Sequence, residues 1–491
     1  MKSNRNFQGV PRRAFLADLG MGFTGLALGS MLNGSGVVRA STDGWRPPDG
    51  KPHFPAKAKR VIWLFMIGGV SHVETFDPKP ALNKYHGMQM ADTPFKEFEI
   101  NPLVKTNLRE FIVGQHKIEP KLYQMQVGFK QHGQSGIEVS DWWPNVAGCI
   151  DDIAVVRSMW TTDNNHGAQM QFHSGRHVLE GQFPTIGSWV HYGLGSLNEN
   201  LPQFVVLGEP VDTCCGGLAA HGSAYLGPEH GGVQLAVRQE NPLSFSKLGP
   251  GVSTEEQKSE FELMSEFSRL SVAEYPDDAV MRARIKSYEL AFRMQTAVPA
   301  VMRFSEENEA TRRLYGLDQE QTKPFGEMCL AARRMAESGV RFVQVFQGQN
   351  GGSGKWDAHS NLKKGHTELC QQVDKPIAGL LKDLKQRGML DDTIVVFATE
   401  FGRTPGSEGA NGRNHHPFGF SVWMAGGGIK GGVVHGATDE VGFHAVENRH
   451  YVTDIHATVL HQLGLDPKRL EVPGRKRLEI DLGAPIHEIL A

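Results

Sequence analysis

The 491 residues include 40% hydrophobic and 21% charged side chains, a composition typical of a soluble globular protein with a large core. The formal net charge of -3 is almost neutral for this length, so we expect no nucleic-acid partner. The 21 histidines exceed the number that core packing usually needs, and histidine is the commonest metal ligand.

The first 40 residues are typical of an export signal. Arg12 and Arg13 precede a glycine-rich and mildly apolar run, and small residues before Ser41 suit a cleavage site. Because this pattern resembles a twin-arginine signal, we expect the twin-arginine export machinery to carry the folded chain to a periplasmic or extracellular location. Residues 41–59 are rich in Pro, Gly and Lys and predict a linker. No later stretch approaches the ~20 apolar residues of a membrane span, so we expect none in the mature chain.

Six continuous apolar runs predict strands that are buried on both faces. They span residues 61–67, 153–157, 204–207, 341–346, 393–399 and 420–425. Helical patterns lie between several of these runs, which predicts an α/β fold over residues 60–491: a doubly wound, mostly parallel sheet with helices on both faces. Within it, the polar residues 84–140 predict an insertion, and the charged residues 253–338 predict a helical excursion.

Polar side chains with metal-binding or acid–base chemistry lie next to most of these predicted strands. They are Ser71, His72, Glu74 and Asp77; Thr161, Thr162, Asp163, Asn165 and His166; Asp357 and His359; Glu400 and Arg403; and, before the last strand, His415 and His416. In doubly wound sheets such loops converge at the carboxyl ends of the strands. Each residue alone suits a capping acid or a surface histidine, but together they predict one or two divalent cations.

Glycine and cysteine patterns exclude other kinds of site. The glycine-rich stretches have neither the order of a dinucleotide-binding fingerprint nor that of a P-loop. The five cysteines show no CxxC spacing, so neither a zinc knuckle nor a disulfide framework is predicted. We interpret the adjacent Cys214 and Cys215 as packing residues or a chance pair rather than a redox site.

Six stretches identify a family resemblance. They are "RVIWLFMIGGVSHVETFDPKP", "RSMWTTDNNHGAQMQFHSGRH", "WDAHSN", "DDTIVVFATEFGRTP", "GRNHHPFGFSVWMAGGGIKGG" and "VTDIHATVLHQLGLD". In this order they resemble the sulfatase-like domain-of-unknown-function family fifteen-oh-one, whose members often carry twin-arginine signals, and the resemblance covers nearly all of the mature chain. That family is similar to the alkaline phosphatase superfamily, which implies an alkaline-phosphatase-like fold and cleavage of phosphate, sulfate or phosphonate esters with one or two bound metals.

The resemblance implies particular ligands. "WDAH" is similar to the Asp and His pair of the first metal site, which makes Asp357 and His359 candidate ligands. Glu400 stands where a ligand usually stands. Either His415 or His416 would be the late histidine before the last central strand. The implied cation is zinc, calcium or manganese.

The sequence departs from the superfamily pattern at the end of the first strand. Gly68 and Gly69 occupy the place where metal-binding acids normally end the first strand, which leaves His72, Glu74 or Asp77 as substitutes.

At the family's nucleophile position, counted ten residues back from Gly175, stands Asn165, whose amide cannot attack an ester. The neighbouring His166 is a candidate base or transient nucleophile, and Thr161 and Thr162 are hydroxyl candidates.

Two functions remain open. The first is an exported metal-dependent hydrolase of phosphate or sulfate esters, in which His166 acts as general acid or base and Arg403 and Arg176 clamp the anion. The second is a catalytically degenerate protein that binds an anionic polysaccharide or a partner without turnover.

Overall fold

The computed structural model describes residues 50–97, 106–109, 119–210, 212–238, 242–243, 253–275, 278–475, 477–478 and 481–491. The predicted signal segment and residues 41–49 of the predicted linker lie outside these ranges, so the twin-arginine prediction stays a prediction. Among the described helices, none is long and apolar enough to cross a membrane.

The described strands, in chain order, are β1 (Arg60–Met66), β2 (Phe129–His132), β3 (Ile137–Ser140), β4 (Ile153–Trp160), β5 (Phe204–Leu207), β6 (Val233–Leu235), β7 (Phe342–Gln347), β8 (Gln349–Asn350), β9 (Ser353–Gly354), β10 (Thr393–Ala398), β11 (Gly402–Arg403), β12 (His415–His416), β13 (Phe420–Ala425), β14 (Val433–His435), β15 (Ala437–Thr438), β16 (Ala445–Glu447) and β17 (His450–Tyr451). The described α-helices are α1 (Pro80–Lys84), α2 (Ala168–Ser174), α3 (Ile186–Leu194), α4 (Thr254–Glu274), α5 (Ala279–Val301), α6 (Glu309–Leu314), α7 (Lys323–Glu337), α8 (Leu362–Gln386) and α9 (Val452–Gln462).

The central sheet of the described chain has nine strands in the order β14-β4-β13-β10-β1-β7-β5-β6, with β17 also paired to β4. β13 runs antiparallel to both of its neighbours, β10 and β4. The other pairings in the sheet are parallel. Every residue of β7, β10 and β13 is buried, which explains why these strands read as continuous apolar runs. The predicted mostly parallel α/β fold is confirmed.

Helices cover both faces of this sheet. Alternate side chains of β1 point to opposite faces, so Leu64 packs in the core under α7 and α8, whereas Trp63 packs in the core under α2, α3 and α9. α4 and α5 pack against each other, and α7 lies directly on β7 and β1. The predicted insertion begins at the last residue of α1 and contains the β2–β3 hairpin.

The loops that carry the candidate functional residues lie at one edge of the sheet. β1, β4, β7 and β10 all end there, because β1, β7 and β10 are parallel to one another and β4 is antiparallel to β13. β13 runs the other way and therefore begins at the same edge. The loops after the four strands and the residues before β13 consequently converge.

Candidate metal centre

Three residues from three different strand ends form a compact cluster. His166 follows β4, Asp357 follows the β8–β9 hairpin after β7, and His415 lies in β12 before β13. One ligand atom from each lies within 4.8 Å of the others, the one such group of histidine, cysteine or acidic residues found among the described residues. Asp357 Oδ2 is 3.3 Å from His166 Nε2, and Asp357 Oδ1 is 2.9 Å from His415 Nε2.

The protonation of His415 makes its contact with Asp357 unusual. Its Nδ1 lies 2.8 Å from the carbonyl oxygen of Asn164, so Nδ1 carries the proton and donates it. Burial lowers the pKa of His415 to about 3, which keeps the ring neutral. Its Nε2 therefore presents a lone pair to a carboxylate oxygen that also only accepts. Such a pair repels unless a cation or a donated proton lies against both atoms.

His359 closes a triangle with these two atoms. Its Nε2 is 3.0 Å from both Asp357 Oδ1 and His415 Nε2, and its Nδ1 contacts the carboxylate of Glu408. The hydrogen bond to Asp357 raises the pKa of His359. With 40% of its side chain exposed against 10% for His415, His359 is the ring that faces solvent.

His166 stands between two carboxylates. Its Nδ1 is 3.0 Å from Glu400 Oε1, on the other side of the ring from Asp357. Burial lowers the pKa of His166, but the hydrogen bonds to Asp357 and Glu400 outweigh it and raise the pKa to about 9. Both ring nitrogens therefore donate in the chain without a cation, and a cation would take the place of the proton on Nε2.

The turn after β1 holds Glu400. The Gly68 amide donates to Glu400 Oε1 at 2.7 Å, and the Thr399 hydroxyl lies 3.1 Å from Oε2. Gly68 has φ +125°, and a Cβ there would lie 2.4 Å from the backbone nitrogen of Asp357. Only glycine fits this position, which brings the backbone after β1 against both the Asp357 and the Glu400 segments.

Arg403 supports Asp357 from below. Its Nη2 donates to Asp357 Oδ1 at 2.9 Å, and its remaining donors bond the carbonyl oxygens of Gly69 and Arg413, among others. Arg403 is fully buried, so the structure does not present it to a ligand as the predicted anion clamp. Burial alone raises the pKa of Asp357, but its histidine contacts and the Arg403 charge outweigh this and hold the pKa well below its usual range.

None of the three predicted ligands after β1 is brought to the cluster, and Asp77 forms an ion pair with Lys79 at 3.0 Å. Glu74 forms a fully buried ion pair with Arg413, with a shortest separation of 2.7 Å. The Nε2 of His72 bonds the carbonyl oxygen of Gly442 at 2.7 Å, and burial lowers the pKa of His72. Both side chains have local partners because Gly68 and Gly69 turn the chain sharply before it reaches them.

His416 faces away from His415. Successive side chains of a strand point in opposite directions, and both residues form the short strand β12. The ring of His416 stacks on Phe443 at 4.2 Å, and its Nε2 lies 3.4 Å from His444 Nδ1. Of the two histidines that the sequence leaves open, the structure brings His415 to the cluster.

The remaining predicted residues have other bonds. Arg176 lies between Glu180 and Asp481, at 3.0 and 2.9 Å. The Asn165 side-chain oxygen accepts from the His166 backbone amide at 2.7 Å, so Asn165 shapes the turn that carries His166.

The two candidate hydroxyl nucleophiles are bound to one glutamine. Thr161 Oγ1 donates to Gln171 Oε1 at 2.9 Å, and Thr162 Oγ1 accepts from Gln171 Nε2 at 2.6 Å. Neither hydroxyl is directed to the cluster by these bonds.

Sequence reasoning missed two supports of the cluster. The Asn164 carbonyl sets the tautomer of His415, and Glu408 holds His359. Glu408 lies in the glycine-rich loop before β12, where it bridges to Gly412. An acid placed between glycines in the loop between Glu400 and His415 is a signal that could have found it.

Fold and cluster together define an α/β protein with a candidate metal centre at the carboxyl edge of a mostly parallel sheet. Residues 58–490 match the family described as "Protein of unknown function (DUF1501)", so the chain belongs to that family, as its sequence motifs predict. No curated protein matches the chain.

Several solved structures of the sulfatase and alkaline phosphatase group are similar to the chain. The PsFucS1 sulfatase from Pseudoalteromonas sp. shares 13% identity over 98% of this chain and 76% of its own, with a TM-score of 0.35. The phosphonate monoester hydrolase SpPMH from Silicibacter pomeroyi shares 11% over 71% of each chain, with a TM-score of 0.36. An alkaline phosphatase superfamily protein from Vibrio parahaemolyticus shares 10% over 96% of this chain and 79% of its own, with a TM-score of 0.37. At these identities and scores, the similarities carry no conclusion about activity.

Proposed function

We propose that the chain is an exported metal-dependent hydrolase of phosphate or sulfate esters, with its cation held by His166, Asp357 and His415. The observation that carries this proposal is the contact between Asp357 Oδ1 and His415 Nε2, two lone-pair atoms held 2.9 Å apart. The export part of the proposal rests on the twin-arginine pattern around Arg12 and Arg13 alone.

The donor set fits a transition-metal ion. Two imidazole nitrogens and one carboxylate suit zinc or manganese, whereas calcium prefers oxygen ligands only. The supports are those that metal-binding histidines usually have: His415 donates its other nitrogen to a backbone carbonyl, and His166 donates to Glu400.

A bound divalent cation supplies Lewis acidity, which polarises an ester oxygen and lowers the pKa of a water molecule. Glu400 and Asn164 fix the two ring orientations, and Arg403 fixes Asp357. His359 is the exposed member of the cluster, and its hydrogen bond to Asp357 raises its pKa, which favours the protonated ring. It is therefore placed to donate a proton to the leaving oxygen as general acid, with Glu408 as its anchor. The attacking group would be water, because position 165 offers no hydroxyl or thiol.

A second candidate function is binding of an anionic polysaccharide or a partner without turnover. It is favoured by the same absence of a nucleophile at Asn165 and by the bonds that tie Thr161 and Thr162 to Gln171. The cluster would then hold a cation that bridges to the anionic ligand.

Metal analysis combined with ester assays separates the two candidates. We expect the purified mature chain to retain zinc or manganese after dialysis and to cleave an aryl phosphate or aryl sulfate in a chelator-sensitive way. Asp357→Asn should lose both properties, while the control His487→Asn, which changes an exposed histidine, should keep them. A chain that retains metal but cleaves neither ester, and whose metal content is unchanged by His359→Asn, would favour the binding function. A chain that takes up no metal would refute both.

A further inference from the structure

We propose that Cys214 and Cys215 form a modification site, at which oxidation closes a reversible disulfide between the two neighbouring residues. This inference concerns a group outside the metal cluster and does not rest on the proposed hydrolase function. It differs from the sequence-based interpretation of the pair as packing residues or a chance pair.

The sulfur atoms are already close. Cys214 and Cys215 are both free thiols in the short helical turn Thr213–Cys215, and their Sγ atoms lie 3.0 Å apart. A disulfide has an S–S distance of about 2.05 Å, so closing the bond moves the sulfurs together by about 1 Å. A chance pair of adjacent cysteines can point its side chains apart, whereas these two converge.

Accessibility differs between the two thiols and sets the order of the reaction. Cys214 is exposed, whereas Cys215 is 5% exposed and burial raises the pKa of its thiol. Cys214 therefore meets a small-molecule disulfide oxidant first. Its thiolate attacks one oxidant sulfur, forms a mixed disulfide and releases one thiol. Cys215 then gives up its proton and attacks the Cys214 sulfur, which releases the second thiol; the cysteine pair is oxidised by two electrons and the oxidant is reduced by two.

The chain directly after the pair has an unusual backbone conformation. Gly216 and Gly217 follow directly, with φ of +130° and +52°, a region that side chains other than glycine rarely adopt. Neighbouring Cα atoms are about 3.8 Å apart. Ordinary disulfides join Cα atoms about 4.4–6.8 Å apart, so the ring is strained and easily reduced. Such a bond suits a reversible modification better than a structural crosslink.

The cysteine turn contacts the segment that leads to the metal cluster. The Asp212 amide donates to the Gly351 carbonyl oxygen at 3.1 Å, and a Cβ on Gly352 would lie 2.9 Å from Cys214 Sγ. Both glycines belong to the turn between β8 and β9, and β9 ends at Gly354, three residues before Asp357. Closing the ring therefore changes a contact surface of this hairpin.

The test uses the full mature chain and oxidised glutathione as the oxidant. After incubation, the protein is denatured without reductant, labelled with iodoacetamide and mapped by mass spectrometry. We expect loss of iodoacetamide labelling at both Cys214 and Cys215, a peptide lighter by two hydrogens with no glutathione attached, and full recovery of both labels after dithiothreitol. Labelling of the buried Cys149, Cys329 and Cys370 should be unchanged.

The exposed Cys214→Ser is the informative variant, because it leaves the buried thiol in place. In this variant, Cys215 should stay fully labelled after oxidation. In a second measurement, phenylarsine oxide, a trivalent arsenical that binds paired thiols, should bind the reduced wild type but not the variant. A stable glutathione adduct on Cys214 of the wild type, or full labelling of both cysteines after oxidation, would overturn the proposal.

Discussion

Two carboxylates lie at this edge of the molecule, Glu74 buried and Asp357 partly buried, and each is bonded to a buried arginine. Glu74 accepts from Arg413, whose other donors reach four backbone carbonyl oxygens, so the charges and hydrogen bonds of this pair are complete. Asp357 accepts from Arg403, yet it also faces the unprotonated nitrogen of His415. The first group is a finished ion pair, whereas the second places two acceptor atoms in contact. The balance of donors and acceptors, more than residue type, separates a structural carboxylate from a candidate metal ligand.

The largest expected effect removes the ligand carboxylate. Asp357→Asn should lower the affinity for zinc by about 100-fold or more, because outer supports alone are usually worth about 10–100-fold. Isothermal titration of the metal-free chain measures this. Circular dichroism should show the variant still folded, and an unchanged affinity would place the cation elsewhere.

Breaking the finished pair should act on folding instead. Glu74→Gln leaves the Arg413 charge buried without its partner, so the free energy of unfolding should fall by about 3–5 kcal/mol. Denaturant unfolding in chelator measures it. The folded fraction of Glu74→Gln should bind zinc with the wild-type affinity; a parallel loss of metal affinity would mean that the two groups are not distinct.

Metal binding should depend on pH through His166. Its pKa is raised to about 9 in the chain without a cation, so below that pH a cation must displace one proton. The apparent zinc affinity should rise by up to about tenfold per pH unit until the pH passes about 9, and then level off. Titrations in non-coordinating buffers check the sign from about pH 6 to about pH 10, which is about three units below to about one unit above that pKa. An affinity independent of pH would remove His166 from the ligand set.

The smallest effect concerns the anchor of the exposed histidine. Glu408→Gln should reduce ester turnover by about tenfold, at the weaker end of the effect of an outer support. It should also shift the alkaline limb of the pH profile to lower pH, because the hydrogen bond from Glu408 helps to raise the pKa of His359. Zinc affinity should change less than in Asp357→Asn. Equal losses of metal and turnover would instead make His359 a ligand rather than the proton donor.

Much of this edge could be predicted from the sequence. Apolar runs predicted the strands. The convergence of their carboxyl ends predicted that His166, Asp357, Glu400 and His415, which are distant in sequence, lie close together. The same rule also selected His72 and Glu74, because residue type and strand position cannot show that two glycines with φ of +125° and +82° redirect the chain first.

Other features depend on three-dimensional detail that the sequence does not carry. The choice between His415 and His416 required knowing which face of a two-residue strand meets the cluster. The carbonyl that sets the His415 tautomer belongs to Asn164, and every residue has a carbonyl, so no residue pattern identifies it. The closeness of the Cys214 and Cys215 sulfurs likewise depends on side-chain rotation.

Gly68 has a consequence beyond its own turn. Since one added carbon there would collide with the backbone at Asp357, the segments after three separate strands share a boundary with no spare room. Any change that lengthens or shifts one of these segments must therefore move the others. Gly68→Ala should therefore displace these segments, and the resulting change in metal affinity measures how strongly their positions depend on one another.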